Sequence, residues 1–206
     1  AGVNLTSDAA FHPFLWTSES GMTDLGTLGG EAGGATAVNA SGAVVGQSDL
    51  GPFESHAFLW TAADGMTDLE TLGGSSSLAG GINDLGQVAG YAQLADQSTH
   101  AVIWEPDGSV TDLGTLGGAN SFGEDINSSG DVVGLSQTAS GGGHAFLWTV
   151  ADGMIDLGTL GDSDSFSVAL SINDVGQIVG LSRTTLGVEH AFLWTTAGGM
   201  IDLGVW

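Results

Sequence analysis

The 206-residue chain carries 24 acidic side chains against one basic side chain, Arg183, which gives a formal charge of -23 at pH 7. Nucleic-acid affinity is built largely from Lys and Arg at phosphates, so duplex DNA or RNA is excluded as a partner, and an anionic membrane repels the chain for the same reason. There is no cysteine, hence no disulfide, thiolate metal site or cysteine nucleophile, and no apolar run of about 18 residues that would insert across a bilayer.

Ala1 in place of Met suggests a trimmed or processed start. At 42% hydrophobic the chain can build a core, and 36 glycines against three prolines favour turns between short strands over helices.

Self-comparison sets the organisation. Trp16, Trp60, Trp104, Trp148 and Trp194 are spaced 44, 44, 44 and 46 residues apart. His12, His56, His100, His144 and His190 fall on the same grid, each followed after 12 residues by Asp24, Asp68, Asp112, Asp156 and Asp202. Within a unit, runs of the HAFLW and MTDLGTL type are joined by turns such as Ala63-Asp64-Gly65 and Pro106-Asp107-Gly108, which predicts a hairpin. A third strand ends at Val38-Asn39, Ile82-Asn83, Ile126-Asn127 and Ile172-Asn173. Gly42, Gly86, Gly130 and Gly176 stand where the next tight turn needs positive φ. Val44-Val45, Val88-Ala89, Val132-Val133 and Ile178-Val179 form the fourth strand.

Four antiparallel strands per unit of 44 residues predict an all-β fold: a single β-propeller domain of about five four-stranded blades, with a solenoid as the rival. The repeat units run approximately 1–28, 29–72, 73–116, 117–160 and 161–206. The phase of the two chain ends predicts a terminal blade shared by both ends and lacking one strand. That gap has three readings: a blade that tolerates three strands, a trimmed form, or a strand supplied by a partner at an open edge.

The five histidines invite a metal-site reading. A residue repeated once per blade sits in five places, however, and a His–Asp hydrogen bond within each blade is the favoured role, an arrangement similar to the His and Asp network of WD-repeat blades. The repeated tryptophans read as inter-blade packing in preference to sugar-stacking platforms, and Trp206 as a seal at the blade junction. Glu124 and Asp125, with Asp162 and Asp164, are the unusual acids; paired carboxylates could serve glycoside hydrolysis, and Asp162 and Asp164 are a calcium candidate that backbone carbonyls would have to complete. Asn4-Leu5-Thr6, Asn39-Ala40-Ser41 and Asn127-Ser128-Ser129 fit the glycosylation acceptor pattern. What does not repeat is four loops, Asp49 to Ser55, Gln93 to Thr99, Gln137 to Gly143 and Arg183 to Glu189, expected on one face as a variable binding rim.

The strings HAFLWT at 56–61, 144–149 and 190–195, GMTDLGTLGG at 21–30 and INDxGQ at 82–87 and 172–177 resemble the HAF repeat, over essentially the whole chain. Pro13, Val102-Ile103 and Glu70 depart from it. The resemblance implies a secreted or cell-surface propeller without a shared catalytic residue set. Together these readings predict a non-enzymatic extracellular scaffold or adhesive protein. Its partner would be itself, as a homo-oligomer or filament joined through an open blade edge, or an extracellular glycan or protein. A carbohydrate-binding, lectin-like propeller is the alternative and a glycoside hydrolase the third reading.

Overall fold

The computed structural model describes residues 1–5 and 10–205. Nineteen strands and, among the described residues, no helix make up the chain, as the all-β expectation requires. They form five successive antiparallel units. The first holds β1 (Gly2–Leu5), β2 (Phe11–Thr17) and β3 (Gly21–Asp24). The second holds β4 (Gly33–Val38), β5 (Val44–Gly51), β6 (Glu54–Thr61) and β7 (Gly65–Asp68). The third holds β8 (Gly73–Ile82), β9 (Val88–Leu94), β10 (Thr99–Trp104) and β11 (Val110–Asp112). The fourth holds β12 (Gly117–Ile126), β13 (Val132–Thr138), β14 (Gly143–Thr149) and β15 (Gly153–Asp156). The fifth holds β16 (Ser167–Ile172), β17 (Ile178–Arg183), β18 (Glu189–Thr195) and β19 (Gly199–Gly204).

Units two to four join into one sheet, but only through the single parallel pairs Ser55–Ser76 and Thr99–Asn120. Each unit is therefore a meander in its own right, and the first has three strands. One expectation is corrected here. Among the described residues no sheet draws strands from both ends of the chain: β1–β3 come from one end and β16–β19 from the other. The C-terminal segment instead carries a four-stranded meander of its own, because the hairpin turns that follow β16, β17 and β18 pair each strand with its neighbour in sequence.

Apolar pairs explain how the units stack. Val44 packs toward the first unit with Phe58 and Leu25, and its neighbour Val45 packs toward the third with Ala57, Val88 and Trp104. Adjacent residues of a strand point to opposite faces, so a strand sandwiched between two neighbours is apolar on both sides. The same division recurs around Ala89, Ile126 and Phe146, and around Val133, Ile178 and Phe192. Phe58, Phe146 and Phe192 are fully buried at equivalent places, each contributing about 1.5–3 kcal/mol by burial.

Two glycine positions are dictated by this arrangement. Gly42, Gly86, Gly130 and Gly176 take the predicted positive φ, at 82°, 83°, 82° and 74°. At Gly46, Gly90, Gly134 and Gly180 a Cβ would lie within about 2 Å of the carbonyl oxygen of residue 34, 78, 122 or 168, so no side chain fits. That close approach sits beside a register shift in the first strand of each of units two to five, between Ala35 and Ala37, Ala79 and Gly81, Gly123 and Asp125, and Ala169 and Ser171. The extra residue of each bulge is Thr36, Gly80, Glu124 or Leu170.

Candidate functional site

The repeated histidines and aspartates form five separate pairs. Nδ1 of His12, His56, His100, His144 and His190 donates to the carboxylate of Asp24, Asp68, Asp112, Asp156 and Asp202 at 2.8–2.9 Å. An ionised carboxylate can only accept, which fixes Nδ1 as the donor. The same carboxylates accept the backbone N–H two residues on, at Gly26, Glu70, Gly114, Gly158 and Gly204. Each aspartate thus ties a strand to the turn that follows its partner strand. At Asp202 the Gly204 N–H, with the His190 bond second, holds the carboxyl below its ordinary range. No group of three or more His, Asp or Glu side chains able to hold a metal ion gathers among the described residues.

The tryptophans divide unevenly. Trp60, Trp104, Trp148 and Trp194 belong to the cores between units. Trp104 is 3% exposed, whereas Trp16 of the first unit is 61% exposed. Trp206 lies outside the described residues.

A second repeated device was not legible as more than a turn. The side-chain oxygen of Asn39, Asn83, Asn127 and Asn173 accepts two backbone N–H groups of its own turn, the second from Ala43, Gln87, Asp131 and Gln177 at 2.9–3.0 Å. The amide nitrogens of three of them donate into the next unit, Asn39 to the Asn83 carbonyl, Asn83 to Asn127 and Asn127 to Asn173. Beside this ladder, Asp84 and Asp174 accept the backbone N–H of Ala40 and Ser128, one unit back. The Ser128 bond lowers the Asp174 carboxyl. A hollow of about 260 Å3 lies over these turns. Two of the glycosylation triplets have their asparagine amide committed here; the third, at Asn4, includes Thr6, which lies outside the described residues. The recurrence of Asn at the repeat period was the available signal.

The unusual acids do not converge. Asp125 accepts Ser171 Oγ at 2.7 Å and the Ile172 N–H at 3.0 Å, clamping the fourth unit to the fifth. Glu124, the bulge residue, is half-buried, and desolvation raises its carboxyl above the ordinary range. Tyr91, stacked edge-on against Phe122 at 5.1 Å, is raised by burial and then by the Glu124 charge. Asp162 accepts Ser165 Oγ at 2.9 Å within its own loop. Asp164 follows Ser163, whose carbonyl meets His144 Nε2 at 3.1 Å, at the hairpin edge and away from the Asn turns.

Besides the hollow over the Asn turns, concave surface opens at a variable loop. The hairpin joining β5 to β6 borders a groove of about 620 Å3, lined by Gly30, Glu31, Asp49, Phe53 and Glu54 among others. Phe53 at its tip is 94% exposed. On the Arg183–Glu189 loop, Leu186 is likewise exposed, and Arg183 pairs with Glu189 at 3.2 Å over the Phe166 ring.

No family model matches the chain, and the search of curated proteins finds no match. Solved structures do. The putative TolB from Agrobacterium tumefaciens aligns with a TM-score of 0.59 at 13% identity, over 93% of this chain and 79% of that one. TolB from Acinetobacter baumannii aligns with a TM-score of 0.62 at 11% identity, over 99% of this chain and 52% of its own, so this chain spans about half its length. The six-bladed fungal lectin from Aleuria aurantia, described with a fucose recognition mode, follows at a TM-score of 0.49, with 17% identity over 97% of this chain and 71% of that one. The two TolB alignments, at identities far too low to carry function, place this chain in the β-propeller fold.

Proposed function

We propose that the chain is a non-enzymatic extracellular scaffold, a propeller whose five units serve as five blades and whose variable hairpins make adhesive contacts. The observation that carries this reading is that the side chains recurring from unit to unit are spent on structure. The His–Asp pairs tie hairpins to turns, four of the five tryptophans fill cores, and three of the asparagine amides bridge neighbouring units. The acids that could do chemistry are apart, with Asp125 already clamping two units. What is left for contact is the hairpin rim, which on a rigid scaffold can vary without disturbing the fold. The open edge of β1 offers a further route to self-assembly by strand addition.

A carbohydrate-binding role is favoured by one feature, the groove beside Phe53, where an exposed ring stands near the carboxylates of Glu31, Asp49 and Glu54. Aromatic faces pack on sugars and carboxylates accept hydroxyl hydrogens. Glycan-array binding by the full chain, in parallel with glycoside hydrolysis assays, separates the readings. The scaffold reading expects neither signal. Glycan binding lost in Phe53→Ser would install the lectin reading, and hydrolysis lost in Glu124→Gln or Asp164→Asn would install the enzyme.

A further inference from the structure

The repeat lengthens once, by two residues, in the connection from β15 to β16. Six residues separate Leu160 from Ser167, where four separate Leu72 from Ser77 and Leu116 from Ser121. The ends of this connection are fixed on the fifth unit: the Leu160 N–H donates to Ser182 Oγ at 2.8 Å, and the Phe166 carbonyl accepts the Arg183 N–H at 2.8 Å. Its middle folds on itself, the Ser165 N–H donating to the Asp162 carbonyl at 3.0 Å. Among the described residues one hydrogen bond carries that middle to the hairpin of β13 and β14, the contact of the Ser163 carbonyl with His144 Nε2 at 3.1 Å, beside Gly142. Where the shorter connection follows the second unit, the equivalent Nε2 of His56 is buried with no hydrogen-bond partner.

His144 is 6% exposed, and both of its ring nitrogens meet groups that only accept. A carboxylate and a carbonyl have no hydrogen to give, so Nδ1 donates to Asp156 and Nε2 donates to Ser163. Moving the first proton onto the Asp156 oxygen leaves the count unchanged: the three groups together hold one proton more than a neutral ring beside a carboxylate. We propose that the two-residue insertion is a proton-operated latch, in which doubly protonated His144 holds the 161–165 loop on the hairpin of the fourth unit and loss of one proton releases it. When the ring gives up a proton, the remaining hydrogen stays with the charged acceptor, Asp156. Nε2 then turns a lone pair toward the Ser163 oxygen, and attraction becomes repulsion. The latch is therefore closed in acid and opens as pH rises through the range in which histidine changes charge, about pH 5 to 8. The charged groups on the elements around the ring are Asp156 on β15 and Asp162 and Asp164 on either side of Ser163, while β13 and β14 carry no other charged side chain. Arg183 and Glu189, beyond the Phe166 ring, pair with each other. Carboxylates change charge lower, near about pH 4, which separates them from the latch. The latch goes beyond the scaffold reading and holds whatever the rim contacts.

Amide hydrogen exchange of the full chain at about pH 5 and about pH 8, expressed as protection so that the intrinsic pH dependence of exchange drops out, tests it. The Ser165 N–H is expected to be about tenfold or more better protected at the lower pH, the size of one charge-assisted hydrogen bond. A proton–nitrogen signal from His144 Nε2, visible only while that hydrogen is shielded from water, is expected in acid and absent in base. His144→Gln is expected to remove the pH dependence at Ser165. Deletion of Ser163 and Asp164 restores the spacing of the other units and leaves the His144–Asp156 pair in place, so it is read whether or not His144→Gln folds. It is expected to remove both the pH dependence at Ser165 and the Nε2 signal. Equal protection of Ser165 at the two pH values in the wild type overturns the proposal. So does a pH dependence that persists in either variant, or an Nε2 signal missing in acid.

Discussion

Glu70 shows what the repeat demands of a single residue. Its counterparts Gly26, Gly114 and Gly158 sit at φ 71–73°, and Glu70 is held at 57°, a left-handed conformation that an L side chain adopts at a cost of about 1–2 kcal/mol. The Asp68 carboxylate, accepting the Glu70 N–H at 2.7 Å, fixes the turn regardless. Glu70→Gly is expected to stabilise the chain by about 1 kcal/mol in urea unfolding; no gain would mean that the turn is not strained. Pro13 departs from the repeat in a compensated way. In later units an alanine N–H donates to a buried serine of the next unit, as Ala101 does to Ser121 at 2.8 Å. Pro13 has no N–H, and the partner position is Gly33, whose Cβ would come within 3.2 Å of the proline ring. Donor and acceptor are missing together, so no polar group is stranded.

Glu124 yields a pH dependence of definite sign. Burial raises its folded-state carboxyl above the unfolded value, so the ionised form costs stability at neutral pH and that cost is relieved as pH falls through the folded pKa. Glu124→Gln should raise the Tm at pH 7, and the gain should fade in acid until the two proteins melt alike. Asp202 acts in the opposite sense. Its carboxyl is lowered, first by the Gly204 N–H, so its contribution is present above the unfolded carboxylate range and is lost as pH falls through the folded value.

At the scale of elements, the asparagine turns join strands within a unit and units to one another. Asn127 holds two N–H groups of its own turn and reaches the Asn173 carbonyl, whereas the amide of Asn173 is turned onto Gln177 at 2.8 Å within its own unit. Asn127→Ala should therefore cost more than Asn173→Ala, by about 1 kcal/mol for the bridge between units, as read by paired urea titrations. Equal losses would confine both residues to their turns. The turn role was legible in the Asn-x-x-Gly spacing and the positive φ it requires, and so were the strand boundaries, because apolar alternation and turn chemistry are local. The bridge between units was not, since it depends on how far apart successive turns sit. The bulges at Thr36, Gly80, Glu124 and Leu170 escaped for a related reason: their residues share no chemistry, and only strand pairing reveals the extra one.

For the whole molecule, stability in a stack of this kind is a sum of unit terms and nearest-neighbour interfaces. The third unit has a neighbour on both sides, while the first and fifth each expose a face that is sealed elsewhere. Amide hydrogen exchange should be slowest in β9 and β10 and fastest in β1–β3 and β17–β19; uniform protection would show that the chain opens only as one cooperative body. The period of the repeat made the units countable from sequence. The shared terminal blade that the phase of the ends suggested is not found among the described residues, because phase counts strands and does not show which of them pair.

The sameness of the junctions makes the number of units adjustable. The junctions among units two to five share the Ala–Ser bond and the core tryptophan, so a tandem duplication of one complete repeat inserted between β11 and β12 would meet a ready surface on each side, and excision of a whole repeat there would leave two surfaces that match. A cut of half a repeat would instead set unlike faces against each other and break the asparagine ladder. In such a chain, gain or loss of 44 residues at the right phase is a milder change than a single side chain placed at Gly90.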